Sequence, residues 1–222
     1  MPSHPCGKAA APHRIIFLLI DQHPMRIFFA PLYPTLTMPN DQPPSQDTII
    51  QQTRQWIRSV VIGLNLCPFA ARPVDRGTVR YVVSEAQTLE ACLTALMQEV
   101  QRLNEDESID TTLLILPAAF SDFEDFLELT DLADALLEEN DYEGVYQVAS
   151  FHPDYHFADA PEDDPADFTN RSIYPMLHLL REEQVEQAID SHPDPDGIPE
   201  RNVNFTREKG LEYMRKLRDA CL

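Results

Sequence analysis

Histidine is the side chain best suited to carry a proton or hold a metal near neutral pH, and this chain distributes its histidines unevenly. Of seven, none lies between Pro24 and Phe151, and the last four are His152, His156, His178 and His192. His152 stands in the phrase Ser150-Phe151-His152-Pro153-Asp154-Tyr155-His156, directly behind a segment that predicts a strand. Open α/β sheets bind ligands just outside the carboxyl ends of their strands. His152 is therefore a candidate base or metal ligand, with Asp154 placed to hold one tautomer of its imidazole. Pro153 forbids reading His152 and His156 as a helical i, i+4 metal pair, so any shared geometry must come from a loop. The competing expectation is that His152 merely ends the strand. A residue just beyond a strand is rarely core, so His152→Ala is expected to spare the fold.

Cys67 is the candidate nucleophile or thiolate ligand. If Pro68 opens a helical turn, Cys67 is its N-cap and the local dipole favours thiolate. If Cys67 ends the preceding helix, the dipole opposes ionisation and the thiol is inert, and a buried structural cysteine is the commoner case. Cys67, His152 and Asp154 form the candidate catalytic set. His152, His178 and His192 are candidate metal ligands, and a mixed set of thiolate, imidazole and carboxylate would suit zinc or iron. His152 and at least one of His178 and His192 are expected to share one pocket with Cys67. Arg171 and Asn170, before a predicted helix, and Arg201 near the start of the last helix are candidate anchors for the carboxylate or phosphate of a substrate.

Composition narrows the partners. The 222 residues carry 17 basic and 37 acidic side chains, a net charge of −20. That balance argues against nucleic acid and anionic membranes, both of which bind through positive charge. The six glycines lie far apart, so neither a Walker loop nor the dinucleotide fingerprint is present. The longest apolar run near the start, Ile15 to Ile20, is too short to span a bilayer and is broken at once by Asp21 to Pro24, unlike a signal peptide. The four cysteines form no CxxC pair, which predicts reduced thiols and a cytoplasmic address. Between Leu103 and Asn170 there are 20 acids and no lysine or arginine. A solvated acidic face explains this better than a cation site, although the loop Asp159 to Asp167 is long enough to act as a lid.

The elements that must position these residues begin after a change of regime. Residues 1–46 read as a Pro-rich extension, disordered or arising from the choice of start site with Met38 as the true start, since nine prolines lie in the first 44 residues. Three basic residues and one acid precede Met38, against 14 and 36 after it. Residues 47–222 read as a single α/β domain. Ile49, Thr53, Trp56, Ile57, Val60 and Leu64 recur at helical spacing, and Ser45 or Asp47 can cap that helix. Thr78–Ser84, Thr111–Leu116 and Val145–Phe151 predict strands. Helices are predicted at about 88–103, from a Ser121/Glu124 capping box to about 139, and at 175–190 and 199–222. Strands alternating with helices imply a small, mostly parallel sheet of three or slightly more strands flanked by helices.

Several phrases, in order, resemble one family: GLNLCPFA (63–70), RYVVSEA (80–86), GVYQVASFHPDY (144–155), the segment from Thr169 to Glu182, and the segment from His192 to Asn202. The chain resembles the bacterial proteins catalogued as domain of unknown function 1415 over about residues 46–220. That resemblance implies a soluble bacterial α/β domain and no established activity. His156 and Ile173 depart from the pattern, where glutamine and proline are expected. The functional expectation is a small-molecule enzyme built on Cys67, His152 and Asp154, with or without a metal. The alternatives are a non-catalytic binding or regulatory domain and a metal-independent cysteine-nucleophile hydrolase.

Overall fold

The structure, a computed structural model, describes residues 43–222. The predicted extension lies, but for its last residues, outside the described residues. Helix α1 (Gln46–Trp56) starts where the Ser45 hydroxyl accepts the Thr48 amide, and it buries Ile49, Thr53 and Trp56. The helical periodicity past Trp56 is real but wider than expected, because Ile57–Ile62 is a π-helical stretch that turns Ile57, Val60 and Val61 inward. Such stretches are rare and recur at functional sites. A short helix α2 (Ala71–Arg76), closed by Gly77 at φ 71°, leads into β1 (Val79–Val83).

The middle of the chain follows its hydrophobic pattern closely: α3 (Leu89–Glu105), β2 (Thr111–Ile115), α4 (Phe123–Glu139) and β3 (Tyr146–Phe151). The cap of α4 is Asp122 rather than Ser121, its carboxylate accepting the Glu124 and Asp125 amides. The segment predicted as a helix from residue 175 instead divides into β4 (Met176–Arg181) and α5 (Glu182–Asp190). The last predicted helix divides at Gly210, φ 81°, into α6 (Gly197–Lys209) and α7 (Leu211–Asp219).

β4 changes the sheet. Strand order is β1-β2-β4-β3, with β1 and β2 parallel and β4 antiparallel to both of its neighbours. The three predicted strands therefore share one direction, as crossover helices demand, but the sheet is mixed and four-stranded rather than mostly parallel and three-stranded. Met-Leu-His-Leu-Leu-Arg fits either period. What decides is that β2 and β3 each present an edge of unpaired peptide groups, and one inserted strand satisfies both.

Two helical layers cover the sheet. On one face, Leu96, Val100 and Leu103 of α3 and Phe126, Leu129 and Ala133 of α4 pack on Leu114, Leu177 and Leu179. On the other, Trp56, Ile57, Val60 and Val61 pack on Leu113, Ile115, Phe151 and Met176, with Cys221 behind α7 completing that core. Trp56 meets Phe151 edge-on at 5.2 Å between centroids, a contact worth about 1 kcal/mol beyond the area it buries.

Candidate functional site

A cavity of about 250 Å3 opens on the α1 face, enclosed by the sheet, the π-helical stretch, α2 and α5. Trp56, Leu113 and Phe151 line it, with Ile57 and Val61 from the π-helical stretch, Val74 from α2 and Val185 from α5. Its polar lining comprises Cys67, His178, Thr111, Gln184, Gln187 and Asp110, with Arg72, Arg76 and Arg181 as its basic residues. An apolar enclosure with a few convergent polar groups is the usual form of a small-molecule site.

His178 is central. As a β4 residue paired with Leu113, it faces the α1 layer. The Thr111 hydroxyl donates to the Leu179 carbonyl, so its oxygen accepts the Nε2–H of His178 at 2.7 Å. That leaves Nδ1 as an acceptor, and among the described residues it is buried without a hydrogen-bond partner. Burial pushes the imidazole pKa down from 6.5 to about 4, because no nearby anion compensates for removing an imidazolium from water. The ring is neutral at physiological pH. Trp56 Nε1 is likewise buried without a partner, so the cavity wall carries one unsatisfied donor and one unsatisfied acceptor.

Cys67 follows the π-helical stretch at the head of a turn closed by the Ala70 amide and the Cys67 carbonyl. The backbone amides of Phe69 and Ala70 also act on its sulfur and favour thiolate, but burial is the larger effect and pushes its pKa up. The turn thus resembles the N-cap arrangement without activating the thiol. Among the described residues, no hydrogen bond joins this thiol to an imidazole. The approach to the turn is held from α6: Arg201 donates to the carbonyls of Leu64 and Asn65, and Asn202 donates to Leu66 O at 2.6 Å. Arg201 therefore holds backbone rather than lying in the cavity. Asn65 adopts φ 55° inside this clamp.

The cavity lining carries three arginines against one aspartate in a chain of net charge −20. Arg181 is committed to the carbonyls of Leu103, Asp106 and Ile109. The Asp110 carboxylate accepts from Thr78 and Gln184. Arg72 and Arg76 are exposed, one turn apart on α2, and have no ion-pair or hydrogen-bond partner among the described residues.

The structure brings Cys67 and His178 to one cavity and sets His192 beside it. The His192 ring lies edge-on to Phe69, a cavity residue, at 5.7 Å. His152 and Asp154 are elsewhere. His152 is fully buried on the opposite face of the sheet, between Phe123 and Phe126 at 5.2 and 5.1 Å. Its Nδ1 accepts the Asp154 amide at 3.0 Å and its Nε2 donates to the Phe120 carbonyl at 2.8 Å. Both ring nitrogens are thereby used, and burial lowers its pKa. Asp154 meets that ring through its backbone, not its carboxylate. The premise that a residue just beyond a strand lies outside the core fails for His152, which is fully buried.

Arg171 and Asn170 serve the same long β3–β4 connection. Arg171 donates to the Tyr155 carbonyl and to the buried Asp167 carboxylate, which also takes His156 Nδ1 and the Phe157 amide. Asn170 donates to Ser150 O. The candidate lid is tied down as well, because Asp164 caps Pro165–Thr169 and pairs with Arg207 of α6 at 2.6 Å. Among the described residues, no group of three or more His, Cys, Asp or Glu side chains is arranged to hold a metal ion. His152, His178 and His192 do not form a site for zinc or iron.

The family described as Protein of unknown function (DUF1415) matches residues 48–216. The chain belongs to this family. No curated protein and no solved structure matches it. In this DUF1415 chain the cavity residues that sequence reasoning missed are Trp56, Arg72 and Arg76. Trp56 was legible only as an apolar helix residue. The arginines carried a signal, an i, i+4 pair in the phrase Cys67-Pro68-Phe69-Ala70-Ala71-Arg72-Pro73-Val74-Asp75-Arg76, masked by the acidic composition of the whole chain.

Proposed function

We propose that this domain is a binding module for a small organic anion. The apolar body of the ligand occupies the cavity beneath α2 and α5, and its negative group meets Arg72 and Arg76 at the mouth. The observation that carries this reading is the pairing of an apolar enclosure of about 250 Å3 with two unpaired guanidinium groups in a strongly acidic protein. A guanidinium without a carboxylate partner is free to take a carboxylate or phosphate in two parallel hydrogen bonds. The free thiols of Cys67, Cys92 and Cys221 fit a reducing, cytoplasmic compartment, and the family resemblance supports a bacterial source. No helix among the described residues is long and apolar enough to cross a membrane.

A catalytic reading is favoured by one feature, the two backbone amides that act on the Cys67 sulfur. It is weakened by the raised pKa of the thiol, by the lack of an imidazole bonded to it, and by the remoteness of His152 and Asp154. The binding reading is therefore preferred. Its test uses Trp56, the single tryptophan of the chain, as the reporter. Phenylpropanoate should change the tryptophan fluorescence saturably, binding about tenfold more tightly than its uncharged amide, a difference of about 1.4 kcal/mol. Arg72→Gln/Arg76→Gln should abolish that preference. The absence of any saturable response to the acid at millimolar concentration, or equal binding of acid and amide, would refute the proposal.

A further inference from the structure

We infer that the molecule taken into the cavity carries a hydroxyl group at the end opposite its negative charge. This deepens the organic-anion reading and rests on it. Trp56 Nε1 is a donor and His178 Nδ1 an acceptor, both buried and both without a partner among the described residues. Both side chains line the same cavity, and both rings flank Phe151, at 5.2 and 6.2 Å between centroids. The tautomer of His178 is set by Thr111, whose hydroxyl oxygen accepts its Nε2–H.

The chemistry selects among polar groups. A carboxylate could accept from the indole but would face the Nδ1 lone pair with an anion. An ammonium group could donate to Nδ1 but would confront the indole N–H with another donor. A hydroxyl is the smallest group that accepts through its oxygen while donating its proton, so it can serve both atoms at once. Water has the same capacity and is the competitor that the hydroxyl displaces. Both nitrogens are buried, so a ligand engages them as the cavity floor opens. Because Trp56 is buried and Arg72 and Arg76 are exposed, hydroxyl and charge belong at opposite ends of the ligand. A cavity of about 150 Å3 holds benzene, so one of about 250 Å3 takes a molecule of about ten non-hydrogen atoms.

Calorimetric titration of phenylpropanoate against para-hydroxyphenylpropanoate separates this inference from the reading beneath it. The hydroxylated acid should bind the wild-type protein about tenfold more tightly, the worth of about 1.4 kcal/mol. His178→Phe and Trp56→Phe should each lose the preference for the hydroxyl, whatever their affinity for phenylpropanoate itself. Equal affinity of the two acids for the wild-type protein, or a preference that survives His178→Phe, overturns the inference and leaves the anion site standing. Failure of both acids to bind overturns the anion site and the inference with it.

Discussion

Replacing His178 by phenylalanine should flatten the acid limb of the stability profile. The folded protein holds this imidazole at a pKa of about 4, against 6.5 for an exposed histidine. Between those two values the unfolded chain binds a proton that the native state does not, so stability rises with pH across the window and falls as the solution is acidified. Linkage over that interval gives a loss of about 2 kcal/mol on going from pH 7 to about pH 5, and about 3 kcal/mol by about pH 4. Phenylalanine keeps an aromatic ring at this position, somewhat larger than the imidazole, and removes the titration, while Thr111 retains its bond to the Leu179 carbonyl. Urea unfolding of both proteins at the two pH values isolates the term, because every other titrating group, His152 included, is common to both. The variant should lose about 2 kcal/mol less than the wild type between pH 7 and about pH 5. Identical losses in the two proteins would refute the placement of His178 in the wall.

Three further outcomes follow from named contacts. His152→Ala should cost about 3 kcal/mol, since it empties a site between Phe123 and Phe126 and orphans the Phe120 carbonyl; thermal unfolding reads the loss, and a variant as stable as wild type would contradict the core assignment. Asn202→Ala should destabilise by about 2 kcal/mol by leaving the buried Leu66 carbonyl unpaired, and should speed alkylation of Cys67 as its turn loosens, whereas unchanged labelling would separate the clamp from the thiol. Labelling of wild-type Cys67 by iodoacetamide should stay slower than that of free cysteine at pH 7, because burial keeps the thiol protonated; a fast-reacting thiolate would revive the nucleophile reading.

Most of the fold was legible because its signals were local. The 3.6-residue period of α3 and α4 and the apolar run of β2 each stand alone in the sequence, and the Ser45 cap follows from residue type. β4 was not legible, because Met176–Arg181 satisfies helix and strand periods equally and its state depends on the peptide edges of β2 and β3. The candidate site followed the same division. Cys67 and His178 were named from residue type, and they do share a cavity, but His152 was placed with them by analogy to ligand sites at strand ends. One residue beyond Phe151, the alternation of the strand turns His152 to the α4 face, a parity that residue type does not announce. The phrase around His152 owes its composition to the long connection that it braces, where Asp167, Arg171 and Asn170 satisfy buried backbone groups. Arg72 and Arg76 escaped notice because net charge describes the whole surface and conceals a basic rim only two side chains wide.

The most direct test of the ligand-binding account is the indole N–H resonance of Trp56, which a chain with one tryptophan displays as a single isolated signal. Titration with phenylpropanoate should move that signal saturably, together with the amides of Phe69, Ala70 and the β4 segment around His178. A Trp56 resonance that stays fixed while the acid binds elsewhere, or a spectrum unchanged at millimolar acid, would contradict it.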